Sequence, residues 1–278
     1  MRIDSHMHFW KYTTEEYGWI DDNMKALRRD FLPADAKKEI DAARIGGVVA
    51  VQARQTLEET RWLLELADQN HFISGVVGWV DLQSAECKEQ LQRFAAHKKL
   101  VGIRHIVQGE PDDRFLLKPE FGRGIALLEE FGLAYDILVF PRHLPVALEF
   151  VKQFPKQRFV LDHLAKPEIK ASKIKDWERD LRALAEAPNV HCKLSGLVTE
   201  ADWKGWTPSQ LERYIDVAWE AFGAERLMVG SDWPVCTAAG TYVRVMGVFQ
   251  QFLSDQKASD QEAVLGDNAM KFYRLHRP

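Results

Sequence analysis

The 278-residue chain is long enough for two ordinary domains or one large α/β barrel, and its 46% hydrophobic and 28% charged residues suit a globular chain with a sizeable core. A formal net charge of −4, with acidic and basic residues interspersed, argues against nucleic-acid binding and against a polybasic membrane surface. No apolar run approaches a membrane-spanning helix in length.

Short apolar, β-rich runs recur in order at residues 2–4, 48–53, 73–80, 100–104, 133–139, 159–161, 190–194 and 227–230. One strand, one helix and two loops need about 30 residues. Eight such units predict an α/β fold of the (β/α)8 TIM-barrel type, a single domain over residues 1–278. The stretches 58–69, 86–96, 121–131, 145–154, 177–187, 208–222 and 261–273 read as amphipathic helices. Thr207 is the expected cap of the sixth, with Pro208 at its first position. A doubly wound open sheet is disfavoured because no Gly-rich phosphate loop follows the first strand. Residues 9–32 break the period and carry Trp10, Tyr12, Tyr17 and Trp19. In a barrel this is the first loop over the catalytic mouth, either covering a substrate or plugging the mouth with apolar bulk.

Cys87, Cys192 and Cys236 are far apart and form no CxxC pair, so neither a disulfide framework nor a thiolate zinc site is indicated. That usage fits a reducing cytoplasm, as does a first strand that begins at Arg2 without room for a signal peptide. The chain is also compatible with a homo-oligomer.

Alternation along each strand selects the residues that point into the barrel mouth. His6 and His8 share a face with Arg2 and Asp4; the two imidazoles stand about 7 Å apart along the strand and can converge on one ion or reacting group. Gln52 pairs in parity with Arg54, and Trp79 with Asp81. Arg104 is expected inward and His105 outward. Tyr135 has the parity of Ile137, and His163 follows Phe159 and Leu161. His191, Lys193 and Ser195 share one side, and Asp232 ends the eighth strand. In a closed barrel strands one and eight are neighbours, so Asp232 can reach His6 and His8. Three imidazoles and a carboxylate suit one zinc or similar divalent ion, and the carboxylate can also take a proton from water. Plainer readings exist for each residue alone. Asp232 stands two before Pro234 and can cap a helix; His163 can pair with Asp162; Arg104 can pair with Asp4 or Asp136; Lys166-Pro167 reads as a turn.

The ordered set Asp4-Ser5-His6-Met7-His8-Phe9-Trp10, Asp162-His163, Lys166-Pro167, Lys193-Leu194-Ser195-Gly196, Gly230-Ser231-Asp232-Trp233-Pro234 and Asn268-Ala269-Met270-Lys271-Phe272-Tyr273 resembles the amidohydrolase superfamily over essentially the whole chain. Within it, Val51-Gln52-Ala53-Arg54, Gly78-Trp79 and residues 193–203 look closest to the sugar-lactonase branch, the L-fucono-1,5-lactonases and L-rhamnonolactonases. The resemblance implies hydrolysis of a small-molecule sugar lactone to its aldonic acid, in carbohydrate catabolism. It implies Asp232 as general base, with His6, His8 and His163 polarising the carbonyl or, with Asp232, holding one metal. It also implies Gln52, Arg54, Trp79, Arg104, Tyr135 and Trp233 facing the substrate. Binuclear members carry a carboxylated lysine or glutamate on strand four and a histidine on strand five. Here Arg104, Tyr135 and Asp136 occupy those strands, so the expected cofactor is one divalent ion, zinc foremost, or none. The competing readings are a lactonase for a pyrone dicarboxylate or muconolactone, a metal-dependent decarboxylase, and a sugar-acid binding protein without turnover.

Overall fold

In a computed structural model, which describes residues 1–276, eight parallel strands follow one another in sequence order around a single sheet. They are β1 (Ile3–Met7), β2 (Gly47–Val51), β3 (Ile73–Gly78), β4 (Leu100–His105), β5 (Ala134–Ile137), β6 (Phe159–Leu161), β7 (Val190–Leu194) and β8 (Leu227–Val229). The sheet comes round on itself where β1 meets β8. There Met7 bridges Trp233, the Asp232 N–H donates to the His6 carbonyl at 2.9 Å, and the His8 N–H donates to the Trp233 carbonyl. This is one α/β domain with the expected barrel architecture; Arg277 and Pro278, the end of the expected span 1–278, lie outside the described residues.

Helices α1 (Pro33–Ala42), α2 (Leu57–Gln69), α3 (Cys87–Ala95), α4 (Pro119–Glu130), α5 (Leu144–Gln153), α6 (Lys175–Ala185), α7 (Leu197–Glu200), α8 (Pro208–Phe222), α9 (Tyr242–Ser254), α10 (Ala258–Glu262) and α11 (Asn268–Phe272) complete the chain. Caps start several of them. The Thr56 hydroxyl accepts from the Glu59 N–H at 3.1 Å, and Thr207 with Gln210 closes a capping box ahead of Pro208. The helical pattern did not single out α1 or α9. Lys37, Lys38, Glu39 and Asp41 dilute the apolar face of the first, while α9 carries apolar residues on more than one face.

Two apolar cores divide the barrel. The larger fills the space between strands and outer helices. The smaller is the barrel floor, made by Ile3, Val49, Val51, Val77, Val101, Ala134, Val160 and Met228. Ala269, Phe272, Tyr273 and Leu275 cap it from below. Strands that pack on both faces read as unbroken apolar runs, which is why they were visible in the sequence.

Candidate active site

β1 does not alternate cleanly. Ile3 joins the floor while Met7 joins the outer core, because the register with β2 shifts between Asp4 and Met7. The shift separates Asp4 from His6, which parity had put on one face. Asp4 Oδ1 accepts from the His6 and Ser231 N–H groups at 3.1 and 2.9 Å, and its Oδ2 accepts from the Tyr242 hydroxyl at 3.0 Å. It therefore ties β1 to the end of β8 and to α9, and His6 and His8 are left facing the mouth. Gly230 permits the closure, since a Cβ there would lie 2.7 Å from the His6 Cβ.

His163 reaches the mouth by another route. β6 ends at Leu161, and the next residue, Asp162, points inward. His163, Leu164, Ala165 and Lys166 then adopt φ of 54°, 52°, 57° and 55°. This left-handed turn, closed by the Lys166 N–H donating to the His163 carbonyl at 2.7 Å, swings the imidazole over the barrel. Ser195 Oγ sits 2.8 Å from His163 Nδ1. A Cβ at Gly196, φ 66°, would lie 2.6 Å from the same ring. The Ser-Gly pair after β7 is thus the seat of that histidine.

The four groups converge. Asp232 Oδ1 lies 3.3 Å from His8 Nε2 and 3.9 Å from both His6 Nε2 and His163 Nε2. The two strand-one imidazoles approach Nε2 to Nε2 at 3.2 Å. His8 Nδ1 is 2.8 Å from the Val51 carbonyl, an acceptor only, so Nδ1 carries a hydrogen and Nε2 is the nitrogen turned to Asp232. A cation seated between that nitrogen and the carboxylate oxygen would take one donor from each. Zinc with donors at about 2.0–2.1 Å spaces neighbouring donors roughly 3.3 Å apart in a tetrahedron. The donor set therefore fits one cation. His6, His8 and Asp232 bring one ligand atom each within 4.8 Å of one another, as do His6, Asp162 and His163.

Beneath the mouth lies a buried charged layer. Lys193 Nζ is 2.6 Å from Asp136, 2.9 Å from Asp162 and 3.1 Å from His6 Nδ1. Arg104 Nη1 is 3.0 Å from Asp162 and 3.2 Å from His6 Nε2. The Tyr273 hydroxyl donates to Asp136 at 2.7 Å from the floor below. Burial would raise the Asp162 carboxyl, but Lys193, His6 and Arg104 outweigh it and hold it well below the usual range. Asp136 has one cation partner, Lys193, and burial keeps it up at about 6. Burial, reinforced by Lys193, pushes His6 far down, and burial takes His163 to about 4. Both rings are neutral near neutral pH. For Asp232, burial is overcome by the three imidazoles, so its carboxylate stays ionised.

A cavity of about 370 Å³ opens above this set. Its wall includes His8, His163, Asp232 and Arg104, with Trp10, Trp19, Gln108 and Lys166 and the apolar side chains of Ile106, Leu138 and Val235. Of the six residues expected to face substrate, Arg104 lies on this wall and the other five stand off it. Gln52 stands behind Arg104, its Oε1 accepting from Nε and Nη2 at 3.0 and 2.8 Å. Arg54 turns away to pair with Glu16 and sits 5.6 Å from the Tyr17 ring, because β2 has already ended at Val51. The Trp79 indole N–H is drawn aside to His105 Nδ1 at 3.3 Å, and His105 stacks outside the barrel on Phe115. Tyr135 packs outward among Phe121, Phe150 and Phe159, since the inward positions of β5 are Ala134 and Asp136, the latter held by Lys193. Trp233 is buried against Phe9 and Phe31.

Residues 9–32 fold over the mouth, pinned by an antiparallel bridge between Trp10 and Phe31. Lys193 and Ser195 carried a parity signal in the sequence. Lys166 and Gln108 carried none, because each sits in a turn after its strand.

Residues 3–275 match the family model described as "Amidohydrolase". The chain is 41% identical to an L-fucono-1,5-lactonase of Burkholderia multivorans (strain ATCC 17616 / 249), covering 100% of this chain and 97% of that one. It is 39% identical to an L-fucono-1,5-lactonase of Burkholderia ambifaria, with the same coverage. It superposes with a TM-score of 0.96, at 40% identity and over 99% of this chain and 100% of the other, on a Burkholderia multivorans amidohydrolase crystallised with bound zinc.

Proposed function

Since the chain belongs to the amidohydrolase family and is homologous to lactone hydrolases of that superfamily, we propose that it opens a sugar-acid lactone to its aldonic acid. The observation that carries this reading is the convergence of three imidazole Nε2 atoms, within 3.9 Å, on the single oxygen Asp232 Oδ1 at the closed end of one cavity.

Asp232, kept ionised by the imidazoles around it, accepts a proton from the attacking water. His6 and His163, held neutral by burial, act as hydrogen-bonding or ligating groups rather than as fixed cations. His6, His8, His163 and Asp232 would hold one divalent ion, zinc in the first instance, which when bound supplies Lewis-acid polarisation of the carbonyl. As the ring C–O bond breaks, the alkoxide leaving group takes back the proton from Asp232. Lactone and water thus become a hydroxy acid with no other reactant. Trp10 and Trp19 cover the cavity and limit water at the reacting centre.

The cavity wall offers Arg104, already engaged by Asp162 and Gln52, and Lys166. Two substrate carboxylates would call for several uncommitted arginines, so a neutral sugar lactone suits the wall better than a pyrone dicarboxylate. The test is a pH-indicator screen of aldonolactones, with and without chelator. Acid release on at least one lactone supports the reading. Binding that stabilises the protein without acid release would instead identify a sugar-acid binding protein.

A further inference from the structure

The left-handed turn that delivers His163 has a second product. Residues three apart in so tight a turn fall on the same side, so Lys166 comes up beside His163, and both line the cavity. Its ammonium lies 5.8 Å from the centroid of Phe140 and makes no ion pair among the described residues. Glu200 is near enough to feel its charge and Asp232's, yet not to pair with it.

The other cation on the wall is not free. Arg104 commits Nε and Nη2 to Gln52 and Nη1 to Asp162. Among the described residues of the wall, Lys166 is therefore the lysine or arginine without an ion pair. A lactone is neutral; the tetrahedral oxyanion and the product carboxylate are not. A free cation placed there discriminates between states of the reaction, which is how a group raises turnover rather than mere binding.

Resting on the lactonase reading, we propose that Lys166 is a catalytic residue. Its ammonium stabilises the negative charge that develops on the lactone carbonyl oxygen as water adds, and then pairs with the carboxylate of the product. No bond to Lys166 forms and it loses no proton: the carbonyl π pair becomes the oxyanion lone pair, and returns when the ring C–O bond breaks.

The test compares Lys166→Met and Lys166→Arg with the wild type on a lactone the wild type hydrolyses, with circular dichroism as a control for folding. Expected in Lys166→Met is a fall in kcat of about 10²-fold, with KM changed far less and with inhibition by the aldonate product weakened. Lys166→Arg should recover most of both. The proposal is overturned if Lys166→Met keeps kcat and product inhibition within about twofold of wild type. It is equally overturned if Lys166→Arg loses as much as Lys166→Met. If Lys166→Met does not fold, Lys166→Gln takes its place with the same two readouts. Should the wild type open no lactone at all, the lactonase reading fails before any variant is made, and the role of Lys166 falls with it.

Discussion

His8 Nε2 and Asp232 Oδ1 face one another at 3.3 Å across the seam between the first and last strands, with His8 Nδ1 already given to the Val51 carbonyl. Two lone pairs so placed need a cation or a proton between them. The expected outcome is that the purified protein binds one divalent ion per chain and that His8→Ala loses it. Elemental analysis after dialysis, with competition against a chromogenic chelator, reads both. Stoichiometric retention by His8→Ala would mean the ion sits elsewhere.

Asp232 is the proton acceptor in the proposed reaction. Asp232→Asn keeps the shape and removes the basicity, so lactone hydrolysis should drop roughly 10²–10⁴-fold with the melting temperature little changed. Steady-state kinetics on an active lactone decide it; unchanged turnover would remove Asp232 from the mechanism.

Gly196 holds open the space for the His163 ring. In Gly196→Ala the new methyl would lie 2.6 Å from that ring on a backbone at φ 66°. We expect a loss of roughly 1–3 kcal/mol in urea unfolding and, because the imidazole must move, reduced turnover as well. A variant as stable and active as wild type would show that the ring has room to shift.

Lys193 is enclosed between Asp136, Asp162 and His6. Lys193→Met leaves two buried carboxyls facing each other, and breaking such a pair costs about 3–5 kcal/mol. Chemical denaturation of Lys193→Met, and of the double variant Lys193→Met with Asp136→Asn, separates the ion from the packing. The double variant should recover part of the loss.

A pH effect arises away from the mouth. Burial raises the Glu59 carboxyl from 4.5 to about 7, while its Oε2 accepts from the Ala53 and Arg54 N–H groups. The folded protein holds that proton more tightly than the unfolded chain, so the contribution is complete below about pH 4.5 and is lost as pH rises through 7. It amounts to about 3 kcal/mol. Glu59→Gln should therefore be relatively more stable than wild type at pH 8 than at pH 5. Parallel urea titrations at the two values check the sign.

How far the molecule was legible in its sequence follows from what each feature depends on. Eight doubly buried strands leave unbroken apolar runs, so the barrel was readable. His6, His8 and Asp232 were readable because the sequence order of the strands makes the first and eighth neighbours. Alternation failed where the strand itself ended or slipped. It paired Asp4 with His6, which the β1 irregularity separates, and it aimed Tyr135 inward, although the buried Lys193 reserves that side of β5 for Asp136. The resemblance implied Gln52 and Trp79 as substrate contacts, and here Arg104 and His105 take up their polar groups. Lys166 stood out as a turn and motif residue, but its aim into the cavity was unreadable: four successive non-glycine residues with positive φ have no propensity signal.

Phe272 and Tyr273 seal the barrel from below, and Tyr273 reaches up to Asp136, two layers under the catalytic groups. The histidines at positions 6 and 8 are made before the other walls of the pocket, yet that pocket lacks its eighth wall until β8 emerges and its lower seal until residue 273 does. Synthesis order and site assembly thus run in opposite directions: a nascent chain carries the imidazoles of β1 through the other seven strands without a scaffold to aim them. A chain clipped before the floor would leave Asp136, Asp162 and Lys193 open to water from beneath.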